Sequence, residues 1–192
     1  MRPFPLLFAT SLLGQALLAQ APTRLPLGTP LPAFQLQGTD GRVHRSAEAK
    51  APLVLVVFLS VQCPYVRDTE DRINALAKAY AGRMDTFGLN ANANTLADEG
   101  LGAMKGRSAA KGYAFPYLKD EGGSLAKNLG ALCTPDFFLF DRDRRLAYHG
   151  RLDDAWGRPG AKRQDLEEAI QALLAGRRPE GAQMPSRGCS IK

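Results

Sequence analysis

The residues that most often mark a site are scarce in this sequence. Its 192 residues include three cysteines, two histidines and one tryptophan. Cys63, Cys133 and Cys189 are too far apart for the paired spacing of a zinc knuckle or ribbon, and none belongs to a CxxC dithiol. His44 and His149 leave a soft-metal site without a local signature, although either can join distant cysteines. Basic residues exceed acidic ones, 25 against 19, but they are scattered, with no interleaved aromatics to stack on bases. A nucleic-acid partner is therefore not expected, and a solvated surface with a mild positive field is. No internal repeat or low-complexity block is present.

Long apolar runs are also missing. The amino-terminal stretch from Leu6 to Leu18 is too short and too lightly flanked for a membrane span. Preceded by Arg2 and followed by the small residues Ala19 and Ala21, it has the order of a secretory signal peptide, so residues 1–21 are expected to be removed. The chain is then expected to be exported, periplasmic or extracellular, with no stable membrane anchor. Residues 22–176 are expected to form one domain and 177–192 a tail carrying Cys189. In an oxidising compartment three cysteines cannot all pair within one chain, so at least one thiol is free, intermolecular or exchanging.

What is present is an alternation of strand and helix patterns. AFQLQGTDGRVHR predicts an amino-terminal hairpin turning at Asp40-Gly41. LVLVVFLS, residues 53–60, is apolar at nearly every position, as a strand covered on both faces requires. Beyond Pro64 the spacing of Val66, Ile73, Leu76, Ala77 and Tyr80 predicts an amphipathic helix ending at Gly82. MDTFGLNAN reads as a strand, TLADEGLGAMKGRSAAKGYAF as a glycine-weakened helical connection, and FPYLKDEGG as a short strand or loop. GSLAKNLGAL reads as a short helix, DFFLFD and RLAYHGRLD as a hairpin, and AKRQDLEEAIQALLAG as a carboxy-terminal helix. The alternation predicts an α/β fold with a mixed sheet flanked by helices.

Cys63 lies where the strand pattern gives way to the helix. That turn is at the carboxyl end of a central strand, where open α/β sheets place their sites. It is also at a helix N-terminus, whose N–H groups and dipole favour a thiolate, the nucleophile of disulfide and peroxide chemistry.

VVFLSVQCPYV, CTPDFFLFD and LAYHGRLDD, together with FPYLKDEGGSLAKNLGA and the ending PSRGCSIK, resemble the thioredoxin-like superfamily, in particular its peroxiredoxin-like redoxins. The resemblance covers about residues 28–192. It implies a thioredoxin-like fold and thiol oxidoreductase activity with no bound cofactor. The substrate would be a peroxide or a protein disulfide, and an external dithiol would restore the enzyme. Cys63 falls at the family's reactive cysteine. Ser60 falls where a peroxiredoxin keeps a hydroxyl that bonds the thiolate or the peroxide, and Thr134-Pro135 at the cis-proline loop. The arginine that polarises peroxide has no counterpart in CTPDFFLFD, leaving Arg67 or Arg151 as substitutes. Cys133 and Cys189 are both candidates to resolve oxidised Cys63. Cys133 is the expected partner, because the proline loop is held beside Cys63 while a tail must first be ordered. The alternative is a domain that binds copper or another soft metal through Cys63 with a second cysteine or His149.

Overall fold

Leu53–Phe58 is fully buried at all six positions and forms an interior strand, β3, of a seven-stranded sheet. The structure is a computed structural model describing residues 25–93, 98–155, 160–180 and 183–192. The leader expected at residues 1–21 lies outside these. Two neighbours flank β3: β4 (Met84–Asn90) runs parallel and β7 (Asp136–Phe140) antiparallel. Beyond β4 comes β5 (Tyr117–Lys119), also parallel, and then the hairpin of β1 (Gln35–Gly38) and β2 (Val43–Arg45), which extends the sheet at that edge. Beyond β7 the other edge is β8 (Leu146–Gly150). The sheet is mixed, as the sequence pattern predicts.

Strand alternation sends β3 side chains into two cores. Leu53, Leu55 and Val57 pack under α1 (Pro64–Ala79), α2 (Leu101–Lys111) and α4 (Asp165–Leu174). Val54, Val56 and Phe58 pack on the opposite face with Phe34, Phe138 and the buried side of α3 (Ser124–Leu129). A strand covered on both faces cannot alternate in polarity, which accounts for the continuous apolar run. Of the helical connection read over 95–115, residues 95–97 lie outside the described residues; among the rest the helix is α2, which ends at Gly112 in a left-handed conformation (φ 56°) that glycine adopts without strain.

The tail departs from a simple extension. It runs beside β8, where Arg151 N–H donates to Met184 O (3.1 Å) and Ser186 Oγ to Gly150 O (2.6 Å). It then forms a two-stranded ribbon, β9 (Cys189–Ser190) against β6 (Cys133–Thr134), pairing Thr134 with Cys189 and Cys133 with Ser190. Lys192 closes the path: its N–H reaches Asn92 Oδ1 (2.9 Å), and its carbonyl accepts from Ala93 N–H (2.7 Å). Gly188 is required by contact, since a Cβ there would lie 1.9 Å from Thr134 O.

Candidate active site

Cys63 is the N-cap of α1, with Pro64 in the first turn, where a missing N–H costs no helical hydrogen bond. Its side chain is only 2% exposed. The thiol donates to Thr134 O at 3.0 Å, from the residue whose bond to Pro135 is cis. Thr134, Pro135 and Cys63 are thus brought together as the resemblance implies.

Burial pushes the Cys63 thiol up, but hydrogen bonds to its sulfur outweigh that effect and leave its pKa below the ordinary thiol value. They come from the Cys189 and Thr134 side chains and from the backbone N–H groups of Cys189 and Val66. The Thr134 hydroxyl is buried and engages no other group, so it is free to donate to the anionic sulfur. Cys189 moves the opposite way. Burial, its hydrogen bond to Cys63 and the Cys63 charge push it up to about 11.

Cys133 is placed differently. Directly opposed residues of a ribbon share a face and adjacent ones alternate, so Cys189 sides with Thr134 and Cys133 with Ser190. The Cys133 thiol has only a 3.9 Å contact to Pro135 O, and burial, then the charges of Asp136, Cys63 and Cys189, push it up to about 12. Cys133 is the favoured partner only if the tail is unordered. Here the tail is docked, and Cys189 stands opposite Thr134, whose carbonyl accepts from the Cys63 thiol.

Ser60 also differs from expectation. Its hydroxyl proton is directed to Glu99 Oε1 (2.6 Å), while its oxygen accepts from the N–H groups of Gln62 (3.2 Å) and Cys63 (3.1 Å). It therefore shapes the loop before the helix, and its proton is not directed at the sulfur. Arg67 is turned to the same loop, at Val61 O (3.3 Å) and Gln62 Oε1 (3.1 Å), and Arg151 pairs with Asp165 (2.8 Å). Both guanidinium groups are committed elsewhere.

Glu99 was not singled out from sequence. It is 1% exposed and accepts from Ser60, the N–H groups of Val61 and Gln62, and Asn90. Burial pushes its carboxyl up, but these four donors hold it below the usual carboxylate range. Its partners in the thiol loop lie 37 to 39 residues away, and no local pattern signals such a contact.

The histidines do not complete a metal centre. His149 Nε2 faces Asp136 (3.1 Å) with its ring stacked on Phe138, and His44 Nε2 faces Asp40 (2.9 Å). Among the described residues no group of three or more His, Cys, Asp or Glu is arranged to hold a metal ion. Nor is any helix among them long and apolar enough to cross a membrane. Beside the thiol, Pro64, Tyr65, Pro135, Phe137, Leu152 and Ser186 border a groove of about 340 Å³.

Solved structures share this fold. A hypothetical protein from Sinorhizobium meliloti 1021 is 41% identical, with 88% of this chain and 96% of that one covered at a TM-score of 0.82. An uncharacterized conserved protein from Geobacillus kaustophilus is 36% identical, with 87% and 92% covered at 0.81. A secreted disulfide oxidoreductase of Mycobacterium tuberculosis is 17% identical, covering 74% and 95% at 0.56, a likeness of fold. No curated protein matches the chain. The Redoxin family model matches residues 26–170, which span the thiol loop, the cis-proline loop and the whole seven-stranded sheet: the chain belongs to the redoxin family and is in kind a thiol oxidoreductase.

Proposed function

We propose that this is an exported thiol–disulfide oxidoreductase in which Cys63 is the nucleophile and Cys189 the resolving thiol. The observation that carries the reading is the docking of the tail as a strand against the cis-proline loop, which sets Cys189 opposite Thr134, the residue whose carbonyl accepts from the Cys63 thiol, and lets Cys189 lower the Cys63 pKa. Export rests on the leader-like residues 1–21, and the division into a domain at 22–176 and a functional tail at 177–192 rests on the position of Cys189.

The Cys63 thiolate attacks one sulfur of a partner disulfide, forming a mixed disulfide and releasing the other sulfur as a thiolate. Cys189, deprotonated as it reacts, attacks the Cys63 sulfur of that mixed disulfide and releases the second partner thiolate. The partner gains two electrons, and the chain is left with a Cys63–Cys189 disulfide that an external dithiol reduces. No polarising arginine is needed for this sequence of steps.

The burial of Cys63 favours a second reading, since a peroxide is small enough to reach a sulfur that a folded partner meets only when the tail lifts. There the thiolate attacks one peroxide oxygen, the O–O bond breaks, and the hydroxide or alkoxide that leaves takes up a proton from solvent to become water or an alcohol. The resulting sulfenic acid condenses with Cys189, releasing water and giving the same disulfide. Both readings are tested by mild oxidation and non-reducing peptide mapping. A dominant Cys63–Cys189 peptide is expected, and a dominant Cys63–Cys133 peptide refutes the assignment of the resolving thiol. Comparing turnover of a protein disulfide with that of hydrogen peroxide then decides between the substrates.

A further inference from the structure

We propose that Glu99 is the positioning residue of the thiol pair, holding the loop that presents Cys63 and, through Asn90 and Asn92, the carboxy-terminal segment that presents Cys189. This rests on the reading that the two thiols react with each other.

Each carboxylate oxygen of Glu99 receives two donors. Oε1 takes the Ser60 hydroxyl (2.6 Å) and Gln62 N–H (3.0 Å), and Oε2 takes Val61 N–H (3.1 Å) and Asn90 Nδ2 (2.6 Å). On one side the network reaches Cys63 itself, whose N–H donates to the Ser60 oxygen. On the other, Asn90 Oδ1 accepts from Asn92 N–H (3.0 Å), and Asn92 Oδ1 accepts from Lys192 N–H (2.9 Å), three residues beyond Cys189. Lys119 braces the network, its ammonium bonded to the carbonyls of both Asn92 and Glu99. One buried anion thus stands between the two chain segments that must meet for a disulfide to form.

The chemistry of the site distinguishes an anion from a neutral filler. All four partners are donors, and a carboxylate supplies lone pairs for all of them. A glutamine of nearly the same shape accepts at one oxygen and turns two N–H groups toward the remaining donors. The charged and titratable groups around Glu99 are Lys119 with its neighbours Asp120 and Glu121, Tyr117 beyond Asn90, and Lys192 and Cys189 on the tail. Among them, the Glu99 charge raises the Cys189 pKa.

The test uses the full chain and Glu99→Gln. Two quantities are read: the pH midpoints for alkylation of Cys63 and Cys189 by iodoacetamide, resolved by peptide mass, and the rate of Cys63–Cys189 closure with oxidised glutathione. In the variant the Cys63 midpoint is expected to rise and that of Cys189 to fall, with closure at neutral pH slowed about tenfold, the equivalent of one unit of thiol pKa. A lower melting temperature with unmoved midpoints and an unchanged closure rate would mean a purely structural role and overturns the proposal. Should Glu99→Gln not fold, Asn92→Ala removes only the acceptor for Lys192 N–H, and closure as fast as in the unaltered chain overturns the link to the tail. Failure of the unaltered chain to form the Cys63–Cys189 disulfide refutes the underlying reading instead.

Discussion

Replacing Cys189 by alanine separates two effects that the tail has on Cys63. Of the four hydrogen bonds that lower the Cys63 pKa, two come from Cys189, one from its side chain and one from its N–H. Alanine removes the first and keeps the second. A hydrogen bond to a charged group contributes about 1.5 to 3 kcal/mol, and because S–H is a weak donor the lower end applies, or roughly one pKa unit. The Cys63 midpoint should therefore rise by about one unit, cutting its thiolate fraction at neutral pH by up to about tenfold. The substitution also uncovers the sulfur, which raises the alkylation rate once Cys63 is fully ionised. The pH profile distinguishes the two effects, because the midpoint reports the hydrogen bond and the plateau reports access. Cys189→Ser is the counterpart: a hydroxyl donates more strongly than a thiol, so its midpoint should stay at or below that of the unaltered chain. A midpoint unmoved in Cys189→Ala, or equal in the alanine and serine variants, refutes the reasoning.

Cys63→Ser is expected to abolish both disulfide reduction and peroxide consumption, because a hydroxyl is not appreciably ionised at neutral pH, and a retained rate in either assay counts against the nucleophile. Leu55→Ala, at a fully buried position of β3, should cost about 2 to 5 kcal/mol by urea unfolding, and a loss below about 1 kcal/mol would contradict the packing described. The carboxyl of Glu99 is held below its unfolded value, so its stabilisation is present above about pH 4.3 and lost as pH falls through the folded value. Melting temperature should accordingly fall less steeply with acid in Glu99→Gln than in the unaltered chain, and parallel acid limbs would show that the carboxylate adds nothing.

How far the sequence reveals this site depends on the range of the contacts involved. The run from Leu53 to Phe58, Pro64 at the helix start and Thr134-Pro135 are local signals, and each locates its element to within a few residues. The docking of the tail is not local. PSRGCSIK has the composition of a loop, and its two-residue strand exists only because β6 offers a partner and Gly188 allows the backbones to touch. Glu99 is equally silent, since a carboxylate before a helix reads as a surface charge until three donors from the distant thiol loop, with Asn90, surround it. Cys133 is turned by alternation to the face opposite that of Thr134 and Cys189. Nearness in sequence to the proline placed it near the site, but one residue along a strand turns a side chain to the opposite face.

The unequal thiols also assign a direction to the reductive half of the cycle. In a Cys63–Cys189 disulfide an incoming thiolate can attack either sulfur, and the reaction is faster when the departing thiol has the lower pKa. With Cys189 held in the mixed disulfide, the Thr134 hydroxyl and the N–H groups of Cys189 and Val66 still stabilise a departing Cys63 thiolate, so attack at Cys189 with departure of Cys63 is the favoured course. Access points the same way, because Cys63 is buried and Cys189 only half-buried. In the proposed cycle the two halves would thus use opposite ends of the pair, with Cys63 meeting the oxidant and Cys189 the reductant. A dithiol reductant with its second cysteine replaced by serine should accumulate as a mixed disulfide on Cys189, leaving Cys63 free for alkylation. Accumulation on Cys63 instead would show that leaving-group pKa does not govern the step.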